Sequence, residues 1–382
     1  MKMEPETADF IIIGGGIAGA SAGYELRETG KVVILEKECQ PGYHTTGRSA
    51  AIFQKGYNGG DPALHALIKA SEDFLRNPPN GFTSHPLLSP RDLFYITTRE
   101  NAGALGKLRH NLSEINVGIT LLDHQETRQA LPHIAEEYQD SALREQDVAD
   151  IDVSALHEGY LRAIKSSGGK VISNAEVKNL RRQKGPWHVT STQGEFCAPI
   201  IINAAGAWVD QIAEMANISP INIQPLRRTM ALIDIPLDIQ PAKDDWPIVM
   251  DAAEKFYFKP NSGKILITPA DQNLTVPCDA QPEEIDIAHA AHCLEKATNM
   301  AVNKIDHSWA GLRNHVADGH PVVGFDPQED GFFWLAGQGG FGIKTAPAMG
   351  RITAALIMGH SLPQDILDLG LKEDQICVGR LK

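Results

Sequence analysis

The pattern of apolar and polar positions changes its period twice within the first forty residues. Phe10-Ile-Ile-Ile13 is an unbroken apolar run, as expected of a strand buried on both faces, and it breaks off at Gly14-Gly-Gly16. From Ile17 to Thr29 apolar and small residues recur at helical spacing, and Gly30 stands where such a helix would stop. Val32–Leu35 is a second short apolar run, ending at Glu36. Further along, Val171-Ile-Ser173, the alternating Trp187–Ser191 and the run Pro199–Ile202 predict strands. Ser154–Ser167 predicts a helix stopped by Gly168-Gly169, and Thr345–Met358 another stopped by Gly359. Alternation in Leu93–Thr98, Met230–Ile235, Phe256–Lys259 and Lys264–Thr268 predicts antiparallel strands, with an amphipathic helix over Ile285–Met300.

The first two runs enclose a motif. Strand, Gly14-x-Gly16-x-x-Gly19, helix, strand and acid in that order form a dinucleotide-binding fingerprint. Gly14 makes the tight turn, Gly16 lets the backbone approach a pyrophosphate, and Gly19 lets the helix pack on the strand. The N–H groups at Ile17 and Ala18 open the helix toward phosphate. Glu36, 22 residues after Gly14, is placed for an adenosine ribose. The motif alone leaves NAD and FAD open. The next stretch, Lys37 to Ala51, is small, polar and glycine-bearing where an NAD unit would enter another helix and strand. Thr46, Gly47, Arg48, Ser49, Ala50 and Ala51 are its candidates to run along a pyrophosphate or flavin edge.

Bulk properties narrow the classes further. The 382 residues, 42% hydrophobic and 22% charged, suit a globular protein of one interleaved unit or two domains. A net charge of −13 argues against nucleic acid or an anionic membrane as partner. Five scattered cysteines without a C-x-x-C pair give no disulfide framework and fit a reducing compartment, so a cytoplasmic protein is expected. No apolar window is long enough for a transmembrane segment, and the fourteen histidines show no metal-ligand spacing, so no metal is expected.

The motifs together resemble a family. The N-terminal fingerprint, Gly47-Arg-Ser-Ala-Ala51, Asn203-Ala-Ala-Gly-Ala-Trp-Val-Asp210, Trp309-Ala-Gly-Leu-Arg313 and the glycine-rich Ala336–Gly350 occur in the order of the D-amino-acid oxidase superfamily of FAD-dependent oxidoreductases, which includes glycine and sarcosine oxidases. Within it, the stretches around Gly47, "HPLLSPR" and "WAGLRNHVADG" are most similar to bacterial D-arginine dehydrogenase and its relatives. The resemblance implies an α/β fold. A Rossmann-type FAD-binding domain (1–55, 145–225 and 305–382) would interleave with a substrate-binding domain on an antiparallel sheet (56–144 and 226–304). It implies non-covalent FAD, held also by Val177, Ala205, Gly206, Trp208, Gly339, Gly340, Phe341, Gly342 and Ile343.

The implied reaction is oxidation of an α-amino acid, with hydride passing from Cα to the flavin and the imino acid hydrolysing to a 2-oxo acid and ammonia. An external acceptor, such as a quinone, or O2 would reoxidise the flavin. Arg228 and Arg313 match the carboxylate-binding arginines, although Arg227 could equally be the inward one of its pair. Tyr257 and Tyr57 match pocket tyrosines, the latter on a lid. Lys344 matches the sarcosine-oxidase lysine beside flavin and carboxylate, and a solvent-facing helix start is its bland reading. Leu93 stands where arginine-directed members carry a carboxylate, and Ile52 where they carry a histidine. Both make the side-chain pocket apolar, which favours a small or apolar D-amino acid over D-arginine. The oxygen-activating lysine of sarcosine oxidases falls on Ile265 or Leu266, which leans toward a dehydrogenase. A secondary-amine oxidase, a 2-hydroxy-acid dehydrogenase and an FAD-stabilised scaffold without a substrate are the alternatives.

Overall fold

The computed structural model describes residues 4–182, 184–236 and 246–381. Its first sheet is built from the apolar runs. Lys170–Ile172, Val32–Leu35, Phe10–Ile13, Ile200–Asn203 and Phe332–Ala336 lie side by side in parallel, and Val322–Phe325 closes the edge antiparallel. Phe10–Ile13 and Val32–Leu35 are buried at every position, because both sheet faces are covered. On one face Ile12 and Ile34 pack with Ala20, Tyr24, Tyr160, Ile164, Met349 and Ile352 from three helices, Ile17–Leu26, Val153–Ser166 and Gly342–Ile357. On the other, Ile11, Ile13 and Val33 meet Leu180, Trp187, Val189 and Phe196 of a four-stranded sheet.

The second large sheet holds the alternating segments. Gln224–Asp234, Lys264–Thr268, Tyr257–Asn261, Ile248–Asp251, Leu93–Ile96, Ala142–Glu145 and Ile119–Leu122 follow one another, and His307–His315 pairs along the free side of Gln224–Asp234. Alternation sorts its side chains into two layers. Ile233, Ile265, Ile267 and Phe258 pack under the helix Glu284–Ala297 with Ala290 and Leu294. Met230, Leu266, Tyr257, Leu93 and Tyr95 form the opposite layer with Ile52 and Met250. An isolated bridge between Asn314 and Gly339 ties this sheet to the glycine-rich segment of the first. The mixed α/β class expected from the sequence is what forms.

Element limits differ modestly. The first helix ends at Leu26 rather than Thr29, and the amphipathic one covers Glu284–Ala297 rather than Ile285–Met300. The last long helix begins at Gly342, three residues before the expected Thr345, so Lys344 falls inside its first turn.

One backbone approach joins the parts. Gly14 has φ +106°, and a Cβ there would sit 2.4 Å from the Ala204 carbonyl oxygen. The small residues that end the strand Ile200–Asn203 therefore let it press directly on the glycine turn. We expect Gly14→Ala to destabilise the protein by about 1–3 kcal/mol from φ alone, measured by urea unfolding. Unchanged stability would mean the turn is not confined as described.

Candidate active site

A long cavity runs between the two large sheets, from the first glycine turn to the cluster of Arg228, Arg313 and Lys344. At its first end, Gly14, Gly16, Ile17 and Ala18 form the rim with Glu36, Lys37 and Val177. Glu36 fixes the turn: its carboxylate accepts from the N–H of Gly15 at 2.8 Å and of Glu38 at 2.9 Å, and burial raises its pKa. Thr46 Oγ1 accepts from the N–H of Ile17 at 3.0 Å, and no side chain caps the helix through Gly16. His157 donates to the Gly15 carbonyl at 2.8 Å, a support that no sequence pattern marked. Lys37 rests its ammonium 3.5 Å from the Trp208 ring centroid, within cation–π range.

The segment between Lys37 and Ala51 follows the cavity without regular structure. Ser49, Ala50 and Ala51 line it, and Ala51 holds φ +30°. Arg48 also borders the cavity, yet its guanidinium donates to the carbonyls of Ala280 and Ala310, both at 2.9 Å, and pairs with Asp279. It ties this segment to the strand His307–His315. Gly47 and Gly19 lie behind the wall: a Cβ on Gly19 would sit 2.1 Å from the Gly14 carbonyl oxygen. Phe341 is buried in the core and meets the Tyr57 ring edge-on.

At the second end, register explains which arginine turns inward. Arg228 lies opposite Gly311 and Leu226 opposite Arg313, so the two arginines share one face on neighbouring strands. Arg227 faces away and pairs with Glu283 and Asp286. Arg228 is 5% exposed and donates through Nε to the Asp271 carbonyl at 2.7 Å. Among the described residues neither inward arginine has an ion-pair partner. Burial, then the neighbouring Arg313, bring the Arg228 pKa down to about 10. Burial and the two guanidiniums also press His315 down to about 4, so it is neutral at ordinary pH.

The tyrosines and Lys344 complete the cluster. Burial pushes the Tyr257 phenol up, and its hydroxyl sits 3.7 Å from the Met230 sulfur. A Cβ on Gly340 would lie 2.5 Å from the Tyr57 hydroxyl and 2.7 Å from Arg313 Cζ, so a side chain there would displace one or both groups. Lys344 is 4% exposed, with Nζ 4.3 Å from the Tyr57 ring centroid. The solvent-facing reading of this lysine is thereby overturned. Burial lowers its pKa to about 7, Glu145 and Glu254 opposing the shift and Arg313 adding to it. Ile52 lines the cavity with Met230 and Met250, whereas Leu93, fully buried in the same apolar layer, does not border it. Its neighbour Asp92 pairs with Arg144 on the exposed side. Of the two candidates on the strand Lys264–Thr268, Leu266 belongs to the cavity-side layer and Ile265 to the other, while Lys264 pairs with Asp234 and Asp306.

The lining suits FAD on grounds independent of the motif. Asn314 and Gln338 line the cavity, and each carries a buried polar atom, Oδ1 and Nε2, without a hydrogen-bond partner among the described residues, a polar surplus that a bound ligand could meet. Ala205, Gly206, Gly339, Gly342 and Ile343 line the same stretch, where small residues let backbone come close to a flat ring. Among the described residues no cluster of His, Cys, Asp or Glu could hold a metal ion, and no helix is long and apolar enough to cross a membrane.

Known proteins resemble this chain in sequence and fold. The family described as FAD dependent oxidoreductase (DAO) matches residues 9–356. A glycine oxidase of Geobacillus kaustophilus is 25% identical, with 95% of this chain aligned to 96% of that one. A glycine oxidase of Bacillus licheniformis is 23% identical over 97% and 99% of the two chains. The crystal structure of L-proline dehydrogenase from P. horikoshii superposes with a TM-score of 0.80 at 22% identity, covering 94% of this chain and 96% of that one, and bears on fold alone.

A cation that is charged only below about pH 7 should leave a trace in anion binding. We expect a non-reactive carboxylate such as acetate to bind the FAD-loaded protein more tightly below pH 7 than at pH 9, by about tenfold, since a charge-assisted hydrogen bond contributes roughly 1.5–3 kcal/mol. The sign follows from Lys344 being protonated below its pKa and neutral above it. In Lys344→Gln the difference should vanish; a dependence that persists there would assign it to another group.

Proposed function

Because the chain belongs to the FAD dependent oxidoreductase family, we propose that it oxidises an α-amino acid with a small or apolar side chain, of the D configuration, to the imino acid. Water then converts the imino acid to a 2-oxo acid and ammonia. The observation that carries this reading is the pair Arg228 and Arg313, both facing one cavity and neither with an ion-pair partner among the described residues. Two guanidiniums in fixed geometry suit the planar carboxylate of an amino acid. FAD, when bound, supplies the two-electron acceptor.

The chain's own groups do the rest. Arg313 and Arg228 hold the carboxylate, and the hydroxyls of Tyr257 and Tyr57 stand beside it as further donors. The two guanidiniums, joined by Lys344 where it is protonated, disfavour an ammonium, so the bound amine gives up its proton more readily and its lone pair becomes available. Ile52, Met230 and Met250 offer the side chain an apolar wall. Leu93 lies off the cavity lining and brings no carboxylate to it, while Glu254 borders the cavity within electrostatic reach of Lys344. The D configuration rests on the sequence resemblance.

Leu266, rather than a lysine, on the cavity side of its strand favours an external acceptor such as a quinone over O2. The five unpaired cysteines suit the cytoplasm. A second reading, oxidation of glycine or a small secondary amine, is favoured by the buried Lys344 and by the glycine oxidases among the relatives.

The test is bleaching of the flavin band on anaerobic mixing with D- and L-amino acids, glycine, sarcosine and 2-hydroxy acids. We expect apolar D-amino acids to bleach it fast and D-arginine weakly. Bleaching confined to glycine or sarcosine would favour the second reading, and fast bleaching by D-arginine would overturn the apolar pocket. Arg313→Met should lower kcat/KM for the preferred amino acid by about 10²–10³-fold, the scale of leaving a buried charge without its partner.

A further inference from the structure

A fully buried carboxylate lies outside the cavity wall, and neither the cofactor end nor the arginine pair uses it. Glu145 ends the strand Ala142–Glu145, opposite Leu93 in the sheet, with no exposed surface. It has no ion-pair partner among the described residues, and burial raises its pKa. Such a group is costly to bury unless hydrogen bonds meet it. Here three do. Oε1 accepts from the N–H groups of Lys55 at 2.8 Å and Gly56 at 2.9 Å, and Oε2 accepts from the Tyr95 hydroxyl at 2.7 Å.

The two amides it holds directly precede Tyr57. After Tyr57 the backbone runs through three residues with positive φ, Asn58 at 53°, Gly59 at 64° and Gly60 at 89°. Such a run has little preference of its own for one path. On the near side the space is closed: a Cβ on Gly56 would lie 2.6 Å from Leu112 and 2.8 Å from Glu145 Oε2. On the far side Asn111 Nδ2 donates to the Gly59 carbonyl at 3.0 Å. The turn is thus held at both ends, with Tyr57 between them.

We propose that Glu145 is a positioning residue: its carboxylate fixes the backbone at Lys55 and Gly56, and so sets the Tyr57 hydroxyl above Gly340 and beside Arg313. A neutral amide oxygen in its place could also accept from both N–H groups, through weaker bonds. An ionised carboxylate gives both amides shorter, stronger bonds, with Tyr95 holding its second oxygen in place. The role of Tyr57 in this inference rests on the carboxylate-binding reading above; the anchoring does not.

The experiment uses the FAD-loaded enzyme. Hydrogen–deuterium exchange is followed in the peptide Gln54–Gly60 without substrate, and steady-state kinetics with the best amino acid. In Glu145→Ala the Lys55 and Gly56 amides should exchange about 10–100-fold faster, with Glu145→Gln between it and the parent. Glu145→Gln keeps the shape and covers the case in which the alanine variant does not fold. Its KM should rise about tenfold with kcat changed less, while Tyr57→Phe should keep the parent's exchange. Exchange unchanged in Glu145→Gln and Glu145→Ala would overturn the anchor. Faster exchange with unaltered KM would overturn the positioning role. If no amino acid is oxidised at all, the proposed reaction fails while exchange still decides the anchor.

Discussion

Two guanidinium groups placed side by side in a low-dielectric cavity repel each other and forgo much of their hydration. Arg228 and Arg313 are in that position, and the depressed pKa of the first records the strain. The surroundings are arranged so that this charge stays unneutralised. The Asp271 carboxylate is turned to the N–H and hydroxyl of Thr229, at 2.7 and 3.0 Å, leaving only its backbone carbonyl for Arg228. Glu145 is committed to backbone amides and a phenol. His315 is uncharged. An anionic ligand that enters completes a site prepared for it, and the favourable energy appears only on binding.

Holding the arginines there requires both sheets. The long pairing of Gln224–Asp234 with His307–His315 sets their common face. Arg48 then couples that second strand to the segment along the cavity, by donating to the Ala310 carbonyl while its own carbonyl accepts from Trp309 Nε1 at 3.1 Å. Lys259, buried and bonded to the Ala50 carbonyl at 3.0 Å and to Asp150, makes a similar tie from Tyr257–Asn261. The cofactor end and the substrate end are fixed to each other through the backbone of residues 48–51, where the chain accepts the unusual φ of Ala51.

Much of this was legible from sequence, and the pattern of what was not has a physical cause. Gly14, Gly16 and Glu36 could be read because their roles depend on near neighbours: a turn, a helix start and a strand end. The strand that stops at Asn203-Ala-Ala-Gly could be read because close backbone approach excludes side chains. Choosing Arg228 over Arg227 needed the pairing register, since adjacent strand residues point oppositely and either could face in. The same limit applied to Leu266 against Ile265. Leu93 reads as a pocket residue in one dimension but in three lies within the apolar layer, off the cavity lining. Glu145, Tyr95, Asp271 and His157 were invisible because each acts on backbone groups far away in sequence, and no composition or spacing announces such a contact. For Lys344 the apolar pattern leaves a solvent-facing helix start open, because the helix begins three residues earlier than that pattern indicates.

The account depends most on the claim that Arg228 and Arg313 recognise a carboxylate. The direct measurement is anaerobic flavin reduction by D-alanine compared with D-alaninamide, which keeps the amine and the Cα–H and lacks the anion. The account expects the amide to react with a second-order rate constant lower by about 10²–10³-fold, and expects that gap to shrink to a few-fold in Arg313→Met. An amide that reduces the flavin as fast as the acid would contradict it.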